Sequence, residues 1–323
     1  MSSQSYLSGK PQISEADALA LLGERFTAPI KDLSVVPGGE IAQIYAFSVN
    51  GGSYILRIAP EMGANLEKEL FIQRLLAASP ASSAVPAAPI LHIGRLGALH
   101  YAISLRMPGA PLTRLPPPDY EATIPALLKT LDAIHAVDVR ATTGYGVFAD
   151  DGAGYFPSWR ASLAAVGVEE PEPEENSNSA RRSVFEATFL TRDERTVWDT
   201  VYTRMIALLD FCPEDRYLVH GDYGFDNVLA ANGRITAVLD WPNAQYGDFL
   251  YDVAWLDFWP SGFAFRERCL AHYAELNIAV PSYAERILCY QCSIALNALR
   301  FFAQRQNAEA YRWASHAILS RLG

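Results

Sequence analysis

Residues 217–240 read YLVHGDYGFDNVLAANGRITAVLD. Tyr217-Leu218-Val219 is a short apolar run that leads into His220-Gly221-Asp222. Beyond it, Val228–Ala231 and Arg234–Leu239 flank Asn232-Gly233. An Asn-Gly pair between β-rich runs is a strong hairpin signal, because both central positions of a type I′ turn need positive φ. Pairing Ala231 with Arg234 and counting back sets Asn227 opposite Val238, with Asp240 just past the pairing. Three polar residues then converge at one end of a hairpin: Asp222 in the loop before it, Asn227 at the start of its first strand and Asp240 at the end of its second. A carboxylate and an amide oxygen on a rigid β frame suit a hard cation such as Mg²⁺, which takes one or two carboxylates plus substrate phosphates. The remaining acid, off the metal, is placed to accept a hydroxyl proton. The plainer alternative is that Asp222 and Asn227 are turn formers and Asp240 caps a strand end.

The rest of the chain limits what such a site can serve. Its 323 residues are enough for two lobes with their own cores, and half of them are hydrophobic, which excludes a disordered chain. No apolar run approaches the roughly 20 residues of a membrane span, and Met1–Lys10 carries no apolar signal segment. The expectation is a soluble, cytoplasmic protein without a membrane partner, a monomer or weak dimer. A net charge of −10 disfavours a nucleic-acid partner, which needs a basic stripe, and is compatible with a cationic substrate. Of the four cysteines, Cys289 and Cys292 are close in sequence, but they lie in an apolar helical stretch. There free Cys packs as a small hydrophobe, and no second pair stands at zinc-ligand spacing.

Working outward, Glu15–Glu24 reads as a helix capped by Ser14. Ile41–Val49 and Ser53–Ile58 read as strands around Asn50-Gly51-Gly52, Leu66–Ala78 as a helix, and Ile90–Gly94 and Tyr101–Leu105 as two more strands. Pro108-Gly109 and Pro116-Pro117-Pro118 punctuate the chain. After them helical periodicity dominates, in Ile124–Val137, Thr196–Phe211 and Tyr283–Gln304, with Thr191 and Glu194 at capping-box spacing. The acidic, proline-broken run Glu169–Glu175 reads as an exposed loop, able to steer a cationic substrate by charge. His135, alone on an apolar helix face, reads as a satisfied core residue.

His220-Gly221-Asp222-x-x-x-x-Asn227 followed by Asp240 resembles the catalytic segment of the aminoglycoside phosphotransferase family. It is also similar to the H-R-D-x-x-x-x-N and D-F-G elements of protein kinases. Gly247-Asp248-x-x-x-Asp252 shares the resemblance, as do, more loosely, Gly144-Tyr145-Gly146-x-Phe148 and Trp159-Arg160. The resemblance implies an α+β, protein-kinase-like two-lobed fold. A small N-terminal nucleotide-binding lobe of β-sheet plus helix would span 1–105. A larger, mainly helical catalytic and substrate-binding lobe would span 106–323, with a hinge at about 104–109.

In that template Asp222 orients the acceptor hydroxyl and takes its proton, while Asn227 and Asp240 hold Mg²⁺. His220 then orients the loop rather than acting as base. Gly38 and Gly39, before the first hairpin, would cover the phosphates of ATP or GTP. Arg57 would stand where the family usually has a phosphate-binding Lys, keeping the charge but with a planar, bidentate head; its partner would be Glu69, with Glu67 as the fallback. An edge-strand Arg with an exposed head is the other reading of Arg57. Ser104 and Arg106 would lie at the adenine-binding hinge. Asp248 and Asp252 would bind loops and helix ends, or face a cationic substrate. The implied activity is transfer of the γ-phosphoryl group of a nucleoside triphosphate to a hydroxyl of a small substrate, an aminocyclitol antibiotic such as hygromycin B. Rival expectations are a metabolic kinase of a small alcohol, sugar, amino alcohol or macrolide, and a catalytically inactive nucleotide-binding module.

Overall fold

The structure, a computed structural model, describes residues 10–37, 42–60, 66–79, 84–166 and 187–323. The chain forms two compact units. One runs to Ala133 and also takes in Gly224–Pro242, and the other comprises Ile134–Tyr223 and Asn243–Gly323.

The first unit is built on a five-stranded antiparallel sheet. After helix α1 (Glu15–Gly23) come β1 (Lys31–Val35), β2 (Gln43–Val49), β3 (Gly52–Pro60), helix α2 (Leu66–Ala78), β4 (Ile90–Leu96) and β5 (Leu99–Leu105). The strand order is β1-β2-β3-β5-β4. Asn50 and Gly51 take φ +50° and +80° in the tight turn that pairs Val49 with Gly52, the conformation the Asn-Gly signal calls for. Successive strand residues point to opposite faces. Tyr45, Phe47, Leu56, Ile58, Tyr101 and Ile103 therefore meet Ala18, Leu21 and Leu22 of α1 in one buried core. Ala59 and Ala102 pack with Leu66 of α2 on the other side. Arg57 pairs with Ala102 and alternates with Leu56 and Ile58, so it projects on the α2 side.

Strand β6 (Ala110–Pro111) then pairs with Val228–Ala231, which pairs in turn with Arg234–Val238. Val238 also bridges Ala87 in parallel. These ladder bonds hold the late hairpin with the first unit. Ladder pairing thus joins residues that are distant in sequence. Helix α3 (Pro117–His135) contains the later boundary, after Ala133. It begins within the proline run rather than at Ile124, since proline's fixed φ and missing N–H are tolerated in a first turn.

The second unit has a four-stranded antiparallel sheet in the order Gly154–Phe156, Tyr145–Phe148, Gln245–Gly247, Tyr217–Val219. Its helices are Trp159–Ala165, Arg192–Leu208, Leu250–Phe258, Phe265–Glu275, Tyr283–Gln304 and Ala308–Leu322. Tyr283–Gln304 packs against Arg192–Leu208, Leu250–Phe258 and Ala308–Leu322. Both cysteines of its Cys289-x-x-Cys292 step are buried free thiols. Arg192–Leu208 carries a reciprocal capping box between Thr191 and Glu194. Four of these helices were not legible as periodic stretches. The shorter ones bury residues of several faces, among them Tyr251, Asp252, Val253 and Ala254 in succession, which blurs a 3.6-residue stripe. Among the described residues no helix is long and apolar enough to cross a membrane. The acidic run Glu169–Glu175 lies outside the described residues.

Candidate active site

In the first unit the hairpin presents Asn227 and Asp240 together, in a register that differs by one from the sequence count. Ala231 pairs with Arg234 and Ala230 with Ile235, but Leu229 pairs with Ala237 and Val228 with Val238. Thr236 is the extra residue of a bulge, and its hydroxyl donates to the Pro108 carbonyl at 2.5 Å. Asn227 is therefore opposite Leu239, whose N–H it accepts at 2.8 Å, rather than Val238. Asp240 follows directly, with φ +61°, in the left-handed region that Asp tolerates better than most residues. Just beyond it, the Pro242 carbonyl accepts the ammonium of Lys68 at 2.7 Å. Helix α2 thus fixes the chain that carries Asp240.

Helix α2 also supplies Glu69. Arg57 Nη2 donates to Glu69 Oε2 at 2.6 Å, and Arg57 Nη1 lies 3.8 Å from Asp240 Oδ1. Three sequence-selected residues thus form one charged cluster. A quarter of the Arg57 side chain and half of Asp240 remain exposed. Burial opposes the charge on Arg57, but Glu69 and then Asp240 outweigh it and hold the guanidinium above its ordinary pKa. Burial, with the nearby charge of Asp240, pushes the Glu69 carboxyl above its ordinary pKa despite the pull of Arg57. The edge-strand reading of Arg57 fails, because β3 lies between β2 and β5. Ser104 pairs with Ile55 and Ile90 near the end of β5. The Arg106 N–H donates to the Ser53 carbonyl at 2.9 Å, while the residue itself is exposed. Gly38 and Gly39 lie outside the described residues. Asp240 and Asn227 offer hard oxygen donors at one hairpin end, a donor set that fits Mg²⁺ completed by phosphate oxygens.

In the second unit, Asp222 stands on a loop whose backbone is held by side chains. Asp252, fully buried, accepts the His220 N–H at 2.9 Å and the Gly221 N–H at 2.8 Å. His135 Nε2 lies 3.1 Å from the same carboxylate; since a carboxylate only accepts, this nitrogen carries the proton. The Asp222 N–H in turn donates to His220 Nδ1 at 3.2 Å, so His220 holds the loop with its ring, as expected of an orienting residue. Asn243 Nδ2 donates to Asp222 Oδ2 at 3.4 Å. Gly221 has φ +78°, and a β-carbon there would lie 2.3 Å from the Asn243 carbonyl, so only glycine fits.

Asp248 is likewise buried and internal. It accepts from Arg286 Nη2 at 2.6 Å and Nε at 2.8 Å, and from the Tyr290 hydroxyl. Burial works against the Arg286 charge, while Asp248 more than restores it. Burial first, then Asp248, drives the Tyr290 hydroxyl pKa upward. Asp248 and Asp252 thus bind a helix and a loop within the unit. Asn243 and Lys68 escaped the sequence reading. An Asn after Pro242 and a Lys beside Glu67 carry no local signal, because their partners are distant in sequence.

The profile of the Phosphotransferase enzyme family matches residues 32–286. The chain belongs to this family. The phosphotransferase is 31% identical over 306 residues to the hygromycin-B 4-O-kinase of Escherichia coli, covering 94% of this chain and 84% of that one. It is similar to solved structures of aminoglycoside phosphotransferase APH(4)-Ia. One is a ternary complex of a thermostable mutant with AMP-PNP and hygromycin B (TM-score 0.78, 28% identity, 94% and 97% of the two chains covered). Spectinomycin phosphotransferase APH(9)-Ia shares the fold at 16% identity and TM-score 0.63, over 96% and 95% of the chains. The phosphotransferase thus has the kinase-like fold and is an ATP-dependent enzyme that transfers a phosphoryl group to a hydroxyl acceptor.

Proposed function

We propose that this phosphotransferase phosphorylates an aminocyclitol antibiotic of the hygromycin B type, conferring resistance. The observation that carries the reading is the collinear 31% identity with the hygromycin-B 4-O-kinase along 94% of the chain. It is supported by an acidic balance of 36 Asp and Glu against 26 Lys and Arg, which attracts a polycationic substrate. Arg57, fixed by Glu69, binds phosphate oxygens of ATP, with Ser104 and Arg106 at the adenine end and Gly38-Gly39 over the phosphates. Asn227 and Asp240 would hold Mg²⁺, which would supply charge neutralisation at the phosphates. Asp222 orients the acceptor hydroxyl and takes its proton as the oxygen attacks, and Asp252 and His220 keep the Asp222 loop rigid. Positioning and charge neutralisation supply most of the rate enhancement in such transfers. The enzyme acts on small molecules in the cytoplasm, as a monomer or weak dimer and without a nucleic-acid partner.

The test is an in-vitro screen of the purified enzyme with Mg-ATP and hygromycin B, other aminoglycosides, macrolides and small alcohols, read by mass spectrometry. A phosphorylated hygromycin B product and a raised inhibitory concentration in a sensitive host are expected. Product on a small alcohol alone would replace the antibiotic reading with a metabolic one.

A further inference from the structure

The backbone of the Asp222 loop is fixed on two sides. Asp252 holds the two preceding N–H groups, and the His220 ring holds the N–H of Asp222 itself. None of these bonds reaches the carboxylate, whose terminal torsion is intrinsically soft and two-fold. The Asn243 amide does reach it, at 3.4 Å from Oδ2. The segment carrying this amide is seated against the loop, because the Asn243 carbonyl occupies the space that any β-carbon at position 221 would need. Asn243 is exposed while Ala244 beside it is fully buried, so the backbone is anchored and the amide stands at the surface.

We infer that Asn243 is a positioning residue that sets the plane of the Asp222 carboxylate and favours its ionised form. The inference rests on the proposed role of Asp222 as acceptor of the hydroxyl proton. Asn243 acts through Asp222, the carboxylate to which it donates. An amide donor on a carboxylate stabilises the charged form, and a second carboxylate in its place destabilises it. Titratable groups against this loop among the described residues include His220 and Tyr223 within it, Asp252 behind it and His135 paired with Asp252. Substitution at 243 removes none of them.

The experiment compares wild type, Asn243→Ala, Asn243→Asp and Asp222→Asn, with melting temperature as the folding control. Turnover is measured with Mg-ATP and hygromycin B. Titration of Asp222 is followed by carboxyl ¹³C NMR of the free protein, its signal being assigned by its loss in Asp222→Asn. In Asn243→Ala, kcat is expected to fall about tenfold, the low end for a hydrogen bond to a charged group, with the KM for ATP unchanged. In Asn243→Asp, the Asp222 titration moves to higher pH, and the acid limb of kcat/KM moves with it. Wild-type turnover in Asn243→Ala, or an unmoved Asp222 titration in Asn243→Asp, overturns the inference. Retained turnover in Asp222→Asn overturns the base assignment instead, and the NMR titration still scores Asn243.

Discussion

Arg57 Nη2 lies 2.6 Å from Glu69 Oε2, joining a central strand of the first sheet to the helix that follows it. If the pair presents the guanidinium to ATP, Arg57→Ala raises the KM for nucleotide and lowers kcat with little change in melting temperature. Glu69→Ala produces a similar defect. The double variant is non-additive because the two act as one unit, and Arg57→Lys is impaired because it loses the planar fork. Steady-state kinetics on the four variants check this. Fully additive effects would break the pair as a functional unit.

Asp222→Asn is expected to lower turnover by roughly 10²–10⁴, the usual span for losing a general base. Nucleotide affinity should stay near wild type. Fluorescence or calorimetric titration of ATP beside the turnover assay separates the two effects.

Asp240→Ala removes the carboxylate that joins Asn227 at the hairpin end. Mg²⁺-dependent nucleotide binding should be lost, while any metal-independent affinity persists. Calorimetric titration of ATP with and without Mg²⁺ decides it; an unchanged Mg²⁺-dependent affinity would remove Asp240 from the metal.

Gly221→Ala forces a β-carbon to within 2.3 Å of the Asn243 carbonyl at φ +78°. Left-handed backbone alone costs alanine about 1–2 kcal/mol. Gly97, at φ +59° with open space around it, is the control that pays only that cost. Chemical denaturation should show Gly221→Ala as the more destabilised, with turnover lost through displacement of the Asp222 loop.

Arg286→Ala leaves Asp248 buried without its cation. Breaking a buried pair in this way costs about 3–5 kcal/mol, far above a surface substitution. Urea denaturation of Arg286→Ala against Arg312→Ala, whose own side chain is 58% exposed, should show the contrast.

The sequence alone determined the local chemistry. Asn50-Gly51 and Asn232-Gly233 announced both turns, since backbone sterics there depend only on neighbouring residues. Ser53–Ile58 read as a strand carrying one arginine, Arg57, among apolar residues. The spacing of Asp222, Asn227 and Asp240 marked the candidate site, and Tyr283–Gln304 was read with its observed ends. What the tertiary structure decided depends on partners far away in sequence. The bulge at Thr236, whose hydroxyl bonds to the Pro108 carbonyl, shifts the hairpin register, and no count back from the turn can include that distant partner. The choice between Asp248 and Asp252 as substrate ligands or internal anchors was settled by Arg286, Tyr290, His135 and the His220–Gly221 backbone. The division of the chain followed ladder pairing of Ala110–Pro111 with the late hairpin. Asn243 carries no sequence signal because its meaning is geometric: its carbonyl and amide face a glycine and a carboxylate that only folding brings to it.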